Sequence, residues 1–353
     1  MSTETQDAGT RRDETRVAGP RASSSADSAD PGSAPASPAV RPPLSRSGHD
    51  RNAELRLDEL GLAAAWSSPD TRVLVVCQGQ ALVVDEPDPD LPDTDRTRLI
   101  TVPVYDAPEG DRYLLGRDER GAMYFAVPVE SLPGRLDGDA RPASLREVGA
   151  LLDDRDAALF AHAVALEHWH ASHGFCPNCG NPTDLAAAGH LRRCARCGRE
   201  HYPRTDPAVI MAVTDRPADD PEARLLLGRN AAWEPGRFSV LAGFVEPGES
   251  LEQAVAREVA EEAALTVTQA IYLGSQPWPF PASIMLGFTA LVADPERTTA
   301  DGNEMRELRW YGRAGLAEAI RAGEIRAANR LSIARALIEH WYGGTLPDAR
   351  GRG

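Results

Sequence analysis

Short apolar runs broken by polar turns dominate the chain from residue 72 onward. RVLVVC (72–77), QALVV (80–84), YLLG (113–116) and AMYFAVPV (122–129) are rich in β-branched and aromatic residues and end at Gly, Asp or Pro. They predict short strands in a small α/β N-terminal domain over residues 53–150. The period then changes. Leu159, Ala163, Leu166 and Trp169 recur at helical spacing and predict a linking helix within residues 151–171. Past residue 204, DPAVIMAV and ARLLLGRN predict two strands around the exposed turn DRPADDPE, and SIMLGFTALV and LRWY supply two more. Leu331, Ala334, Leu337 and Ile338 mark one side of a helix over residues 329–341, and a second helix follows Phe244. Strands mixed with two helices predict an α/β/α sandwich over residues 204–345.

The ends are different. Residues 1–52 are rich in Ser, Ala, Pro, Asp and Arg with few aliphatic anchors, which predicts a disordered tail, and residues 346–353 read as a flexible one. At 353 residues the chain is long enough for more than one core. Its net charge of -15 comes from 53 acidic and 38 basic residues, every one of the latter arginine. That balance argues against broad electrostatic capture of nucleic acid but leaves room for a local basic rim. No run of about 18 apolar residues and no secretion signal is present, so the expectation is a cytoplasmic protein with no membrane partner.

Four of the five cysteines form two pairs, CPNCG and CARCG, with fourteen residues between them. Two C-x2-C knuckles bring Cys176, Cys179, Cys194 and Cys197 within reach of one tetrahedral zinc, and Gly180 and Gly198 ease the turns. Four protein ligands leave no place for water, so this zinc is expected to be structural, holding a ribbon over residues 172–203. Cys77, inside an apolar run, is expected to be a buried spectator. His162, His168, His170 and His173 spread round the linking helix and are expected to be structural.

Between Gly243 and Leu265 the chain reads GFVEPGESLEQAVAREVAEEAAL. Glu258, Glu261 and Glu262 fall at i, i+3 and i+4 on one helix face, where carboxylates repel unless a cation lies among them. Gly243, Gly248, Glu249 and Ser250 predict a tight turn into that helix, and Arg257 has Glu249 or Glu261 as a partner. The pattern predicts a Mg2+ or Mn2+ site. An ordinary solvated acidic face is the competing reading.

The same stretch resembles the Nudix box, a glycine, five residues, a glutamate, seven residues, then REUxEExGU with U aliphatic. Gly243, Glu249, Arg257, Glu258, Val259, Glu261, Glu262 and Leu265 match, and Ala264 stands where the family has glycine. In a left-handed conformation alanine there costs about 1 kcal/mol or more; in a right-handed one, little. Downstream, SQPWPFPAS (275–283) resembles the signature of the NADH pyrophosphatase group, which also carries a four-cysteine ribbon and a divergent N-terminal domain. The resemblance spans roughly residues 55–345.

Several roles follow from the resemblance alone. It implies Glu258, Glu261, Glu262, Glu304 and the Ala242 carbonyl as ligands of the catalytic metal; by sequence position alone, Glu307 and Glu296 are rivals of Glu304. It implies an orienting salt bridge between Glu249 and Arg257, and Glu261 or Glu262 as the group that polarises water. It implies Phe244 and Tyr202 as the pair that stacks on a base, and Gln276, Ala282 and Ser283 as substrate-proximal. The implied activity is hydrolysis of the pyrophosphate bond of NADH to NMNH and AMP, and removal of NAD caps from RNA 5' ends, by a homodimer. Two alternatives stand beside it. One is a catalytically weak Nudix-fold module that binds a nucleotide or an RNA end, which Ala264 favours. The other is a generic Nudix hydrolase of other nucleoside diphosphate derivatives, which would leave SQPWPFPAS without a reason.

Overall fold

Strand pairing divides the chain into two mixed sheets with a small ribbon between them in sequence. The computed structural model describes residues 39–46, 49–87, 95–132 and 139–347. The N-terminal sheet is built from β1 (Arg72–Cys77), β2 (Gln80–Pro87), β3 (Asp95–Leu99), β4 (Val102–Pro103), β5 (Tyr113–Arg117), β6 (Met123–Pro128) and β7 (Arg141–Ser144). Its order is β3-β2-β1-β6-β5, with β4 paired to β1 and β7 to β2. Only β1 and β6 run parallel. A short helix α1 (Glu59–Trp66) precedes the sheet, and α2 (Leu145–Val148) leads into the long α3 (Asp154–Ser172). The Asp153 carboxylate starts α3 by accepting from the Asp156 amide at 2.8 Å. Leu159, Phe160, Ala163 and Leu166 then bury one face of α3 in the core formed by Leu74, Val76 and Leu115.

Part of the expected tail is ordered. Val40 and Leu44 are buried, Val40 donates to the Leu273 carbonyl at 3.1 Å, and Asp50 pairs with Arg117 beside β5. Apolar side chains too sparse to form a pattern still anchor where a neighbouring sheet offers a groove. Residues 1–38 lie outside the described residues. At the other end Leu346 is buried and its carbonyl accepts from Arg335, so the last helix is followed by a packed residue before 348–353, which also lie outside.

The ribbon is a three-stranded meander of β8 (Thr183–Ala186), β9 (Leu191–Cys194) and β10 (Glu200–His201). The C-terminal sheet contains β11 (Asp206–Thr214), β12 (Leu225–Asn230), β13 (Leu241–Phe244), β14 (Thr266–Trp278), β15 (Ser283–Ala293) and β16 (Met305–Tyr311). The order is β14-β15-β11-β12-β16 with β13 on β11, and β11 with β15 is its parallel pair. Alternation along β11 decides the layers. Val209, Met211 and Val213 join α4 (Leu251–Ala263) in one core, while Ile210 and Ala212 join α5 (Arg313–Arg321) and α6 (Ile333–Tyr342) in another. The fold is the expected α/β/α sandwich, with α4 on one face and two helices on the other.

Three elements differ from the sequence reading. The 13-residue β14 has a largely exposed first half, so no apolar run announced it. SQPWPFPAS is therefore the end of one strand, a turn containing a cis Phe280–Pro281 peptide, and the start of the next. Helix α5 adds a third helix to the two expected, and α6 begins at Ile333, where the Ser332 hydroxyl accepts from the Ala334 amide at 3.2 Å. No described helix is long and apolar enough to cross a membrane.

Candidate active site and metal centres

Helix α4 is held at its start by a reciprocal cap. Gln253 N–H donates to Ser250 Oγ at 3.2 Å, and Ser250 N–H donates to Gln253 Oε1 at 2.9 Å. The turn before it belongs to Gly248, at φ +86°. Gly243 has another task. It lies in β13, and a Cβ there would overlap the Glu258 carboxylate, so glycine lets that side chain rest against the strand.

Arg257 organises the near side of the helix. Its guanidinium donates through Nε and Nη2 to both Glu249 oxygens at 2.9 Å, and through Nη1 to Glu258 at 2.8 Å and Glu261 at 3.0 Å. It also donates to the Phe244 carbonyl at 2.9 Å. The choice left open by spacing resolves into a bidentate pair with Glu249, extended to Glu261. These hydrogen bonds hold the Glu249 carboxyl below its usual range.

The far side is different. Glu262 is 3% exposed, and its Oε2 has no hydrogen-bond partner. Burial first, then the nearby carboxylates Glu258, Glu304 and Asp301, push its pKa up to about 8, against one hydrogen bond from the Ala242 backbone. Glu258 is also raised, chiefly by burial, with Arg257 opposing. Glu304 acts on both, whereas Glu307 is spent on Arg229 and Arg309. Glu296 lies in the 3-10 turn Pro295–Arg297 after β15. A buried, unpartnered carboxylate oxygen among acidic neighbours fits a divalent cation. Glu258 and Glu261 are each held by Arg257, and the glutamates do not close on one point: among the described residues, the cysteine set is the only group of three or more potential ligands whose atoms all lie within 4.8 Å of one another.

Those cysteines converge as spaced. Cys176 Sγ lies 3.7 Å from Cys197 Sγ, and Cys179 Sγ lies 3.5 Å from Cys194 Sγ. Gly180 and Gly198 take the left-handed conformations at φ 71° and 68° that close the knuckles. The Cys197 thiol is pulled down to about 6, first by the Arg199 amide, which suits a thiolate ligand. His201 is outside this set. Cys77 is half-buried, its thiol donating to the Glu130 carbonyl at 3.4 Å, and takes no part.

A cleft of about 880 Å³ runs from Ala242, Glu262 and Glu304 over an apolar floor that includes Ile210, Phe238 and Met285. Its rim holds two cation–aromatic pairs that sequence reading missed. Arg146 of α2 lies 4.0 Å from the Phe280 ring centroid and 5.3 Å from that of Trp278, and Arg237 lies 4.6 Å from that of Trp233. Nothing in SLREV distinguishes Arg146 from a surface helix residue; only folding brings α2 to the cleft. Trp233 and Arg237 stand four apart in AAWEPGRFS, a weak signal in a loop.

Of the expected base-stacking pair, Phe244 is 60% and Tyr202 66% exposed, so both rings are open to a ligand. The Tyr202 hydroxyl donates to Glu200 at 2.9 Å. Gln276 must be corrected. It is fully buried, its amide donates to the Leu331 carbonyl at 2.6 Å, and its Oε1 accepts from the Ile333 amide at 2.7 Å. With both groups bonded to the backbone before α6, the amide is turned into the interior and braces Leu331 and Ile333, which line the cleft. The Ala282 carbonyl is likewise engaged, accepting from the Asp206 amide at 2.7 Å, and Ser283 begins β15 opposite Trp278.

The sandwich, its glutamate helix and the ribbon ahead of it define a zinc-ribbon Nudix hydrolase. Family models match in that order: a NADH pyrophosphatase-like rudimentary NUDIX domain over residues 70–169, the NADH pyrophosphatase zinc ribbon domain over 171–202, and the NUDIX domain over 204–331. The chain is 40% identical over 311 residues to the NAD-capped RNA hydrolase NudC of Mycobacterium bovis (strain BCG / Pasteur 1173P2), covering 85% of this chain and 94% of that protein. The same values hold for the NAD-capped RNA hydrolase NudC of Mycobacterium tuberculosis (strain ATCC 25618 / H37Rv). NAD-capped RNA hydrolase NUDT12 of Homo sapiens is 37% identical over 201 residues, 54% of this chain and 42% of that protein. The chain belongs to the NudC family of Nudix hydrolases.

Proposed function

We propose that this protein hydrolyses the pyrophosphate bond of NADH to NMNH and AMP, and that it removes NAD caps from RNA 5' ends by the same cleavage. The observation that carries the reading is Glu262, buried with one oxygen unpartnered beside Glu258 and Glu304 at the wall of a cleft large enough for a dinucleotide. The relatives named as NAD-capped RNA hydrolases support the substrate class.

Glu258, Glu261, Glu262, Glu304 and the Ala242 carbonyl would hold Mg2+ or Mn2+. When bound, the cation supplies neutralisation of phosphate charge and polarisation of water. The chain supplies the rest. Arg257, clamped by Glu249, fixes Glu258 and the Phe244 carbonyl, so the Phe244 ring is presented from a rigid strand. Phe244 and Tyr202 offer faces for a base. Glu261 and Glu262 are the carboxylates that can take the proton from water, and Glu262 has the open oxygen. The water oxygen joins phosphorus as the bridging P–O bond breaks, and the glycosidic bond stays intact. The ribbon cysteines hold a structural Zn2+. The working form is a cytoplasmic homodimer, a reading supported by free cysteines and by the exposed Ile271 and Tyr272 on edge strand β14.

The binding-module reading has one observation behind it. Ala264 sits at φ 57° and ψ 31°, the strained alternative for that position. The strain falls at the C-terminal end of α4, after the last site glutamate, and leaves the carboxylates placed. Incubating the purified protein with NADH and Mg2+ or Mn2+ should give AMP and NMNH. Intact NADH under both metals would support the binding module, and nicotinamide with ADP-ribose would show a different enzyme.

A further inference from the structure

A second concentration of charge lies away from the cleft, where the chain before α1 meets α3 and the ribbon. Segment 49–57 is held against β5 by reciprocal backbone hydrogen bonds between Asp50 and Arg117 at 3.0 and 2.8 Å. Gly116 permits that approach, because a Cβ there would overlap the Asp50 carbonyl. From this segment come His49, Arg51 and Arg56; from α3 comes His162; from the turn before β9 comes His190. The His162 and His190 rings lie 5.2 Å apart. The charged and titratable groups that act on His162 are Arg51, Arg56, His49 and His190, all basic.

Arg51 and Arg56 make no ion pair among the described residues. Asp50, the carboxylate that acts on His49, is occupied by Arg117 at 3.0 and 3.1 Å and by the Asn52 amide at 2.9 Å. Two buried nitrogens, Arg56 Nε and His162 Nδ1, have no hydrogen-bond partner among the described residues. His162 is 6% exposed, Arg56 is half-buried and Arg51 is exposed, so the group grades from the interior to the surface. A guanidinium cannot shed its proton to escape burial, and a partly desolvated pair of them is stable only with an anion or water between.

We propose that Arg51, Arg56 and His162, flanked by His49 and His190, form a binding site for a phosphate group. Planar guanidinium forks match the oxygens of a tetrahedral oxyanion better than a single halide, and an imidazole at the floor adds a further donor. The site is separate from the pyrophosphate cleft, so the phosphate is either free inorganic phosphate or part of a polynucleotide backbone.

The test is thermal unfolding and direct titration of the full chain with inorganic phosphate, against sodium chloride of equal ionic strength. The expected result is a saturable rise in Tm with phosphate. In R51A/R56A the apparent Kd should weaken at least tenfold, while E262Q, altered in the cleft, keeps the wild-type value. If the double variant does not fold, the exposed R51A alone should weaken phosphate binding severalfold. A 5'-phosphorylated RNA oligomer and AMP form the second arm: tighter binding of the oligomer through the same arginines assigns a polynucleotide, and equal affinity assigns free phosphate. A wild-type response no larger than that to chloride, or an undiminished response in the arginine variants, overturns the site.

Discussion

β1 with β6 in the N-terminal sheet, and β11 with β15 in the C-terminal sheet, are the two parallel pairs in otherwise antiparallel sheets, and each sheet packs a long helix. Both helices bury a carboxylate at 3% exposure, Asp156 on α3 and Glu262 on α4. Asp156 is satisfied: it accepts from the Leu99 amide at 3.0 Å and from Arg155 at 2.9 and 3.0 Å. Glu262 keeps an oxygen without a partner and faces other carboxylates. A buried acid whose hydrogen bonds are complete ties elements together, whereas one left incomplete among like charges is a candidate for holding a ligand. Architecture alone would not separate the two halves.

The largest expected effect tests that division. Glu262→Gln should lower turnover on NADH by orders of magnitude with the unfolding transition retained, and Mn2+ should recover part of the loss; full activity would place the chemistry elsewhere. Between the sheets in sequence lies the ribbon. Cys194→Ser should lower bound zinc, read by elemental analysis, and destabilise the fold by several kcal/mol before any chemical step is affected. A folded, active preparation of the unsubstituted protein without zinc would remove the structural role.

Asp156→Ala is the counterpart of the glutamate variant. It strands the buried Leu99 amide and should cost about 1–3 kcal/mol in denaturant unfolding, with kcat on NADH preserved. A large fall in kcat would erase the contrast between the two acids. The packing of the ribbon against the N-terminal sheet should also be acid-sensitive. Burial lowers the His190 pKa to about 4 and lowers that of His162 well below its ordinary value. The unfolded chain therefore takes up these protons first, and stability is lost as pH falls from about 6.5 toward 4, on the order of 2–3 kcal/mol from His190 alone. Chemical denaturation across that window should show the slope, reduced in His190→Asn. The smallest effect sharpens the edge of the active half: Ala264→Gly relieves the left-handed strain at the end of α4 and should stabilise by about 1 kcal/mol.

The legible parts of this molecule are those whose chemistry is local. C-x2-C knuckles closed as spaced, and the glutamates of α4 lie on one helix because their separation is set by 3.6 residues per turn. Strand β11 was readable because burial on both faces makes it continuously apolar. The half-exposed β14 and helix α5 lacked such a pattern. Gln276 shows a different failure: a motif told that the residue mattered but not how, since its amide partners Leu331 and Ile333 lie more than fifty positions away.

By itself the sequence determined the four zinc-ribbon cysteines, the order of ribbon and Nudix domain and the class of reaction they imply, because ligand type and spacing are properties of short stretches. Tertiary structure decided which buried carboxylate has an open oxygen, that Arg146 reaches the cleft from another domain, and that Arg51 and Arg56 come near His162 with no ion pair of their own among the described residues. Those outcomes depend on desolvation and on contacts between distant segments, and neither quantity exists until the chain has folded.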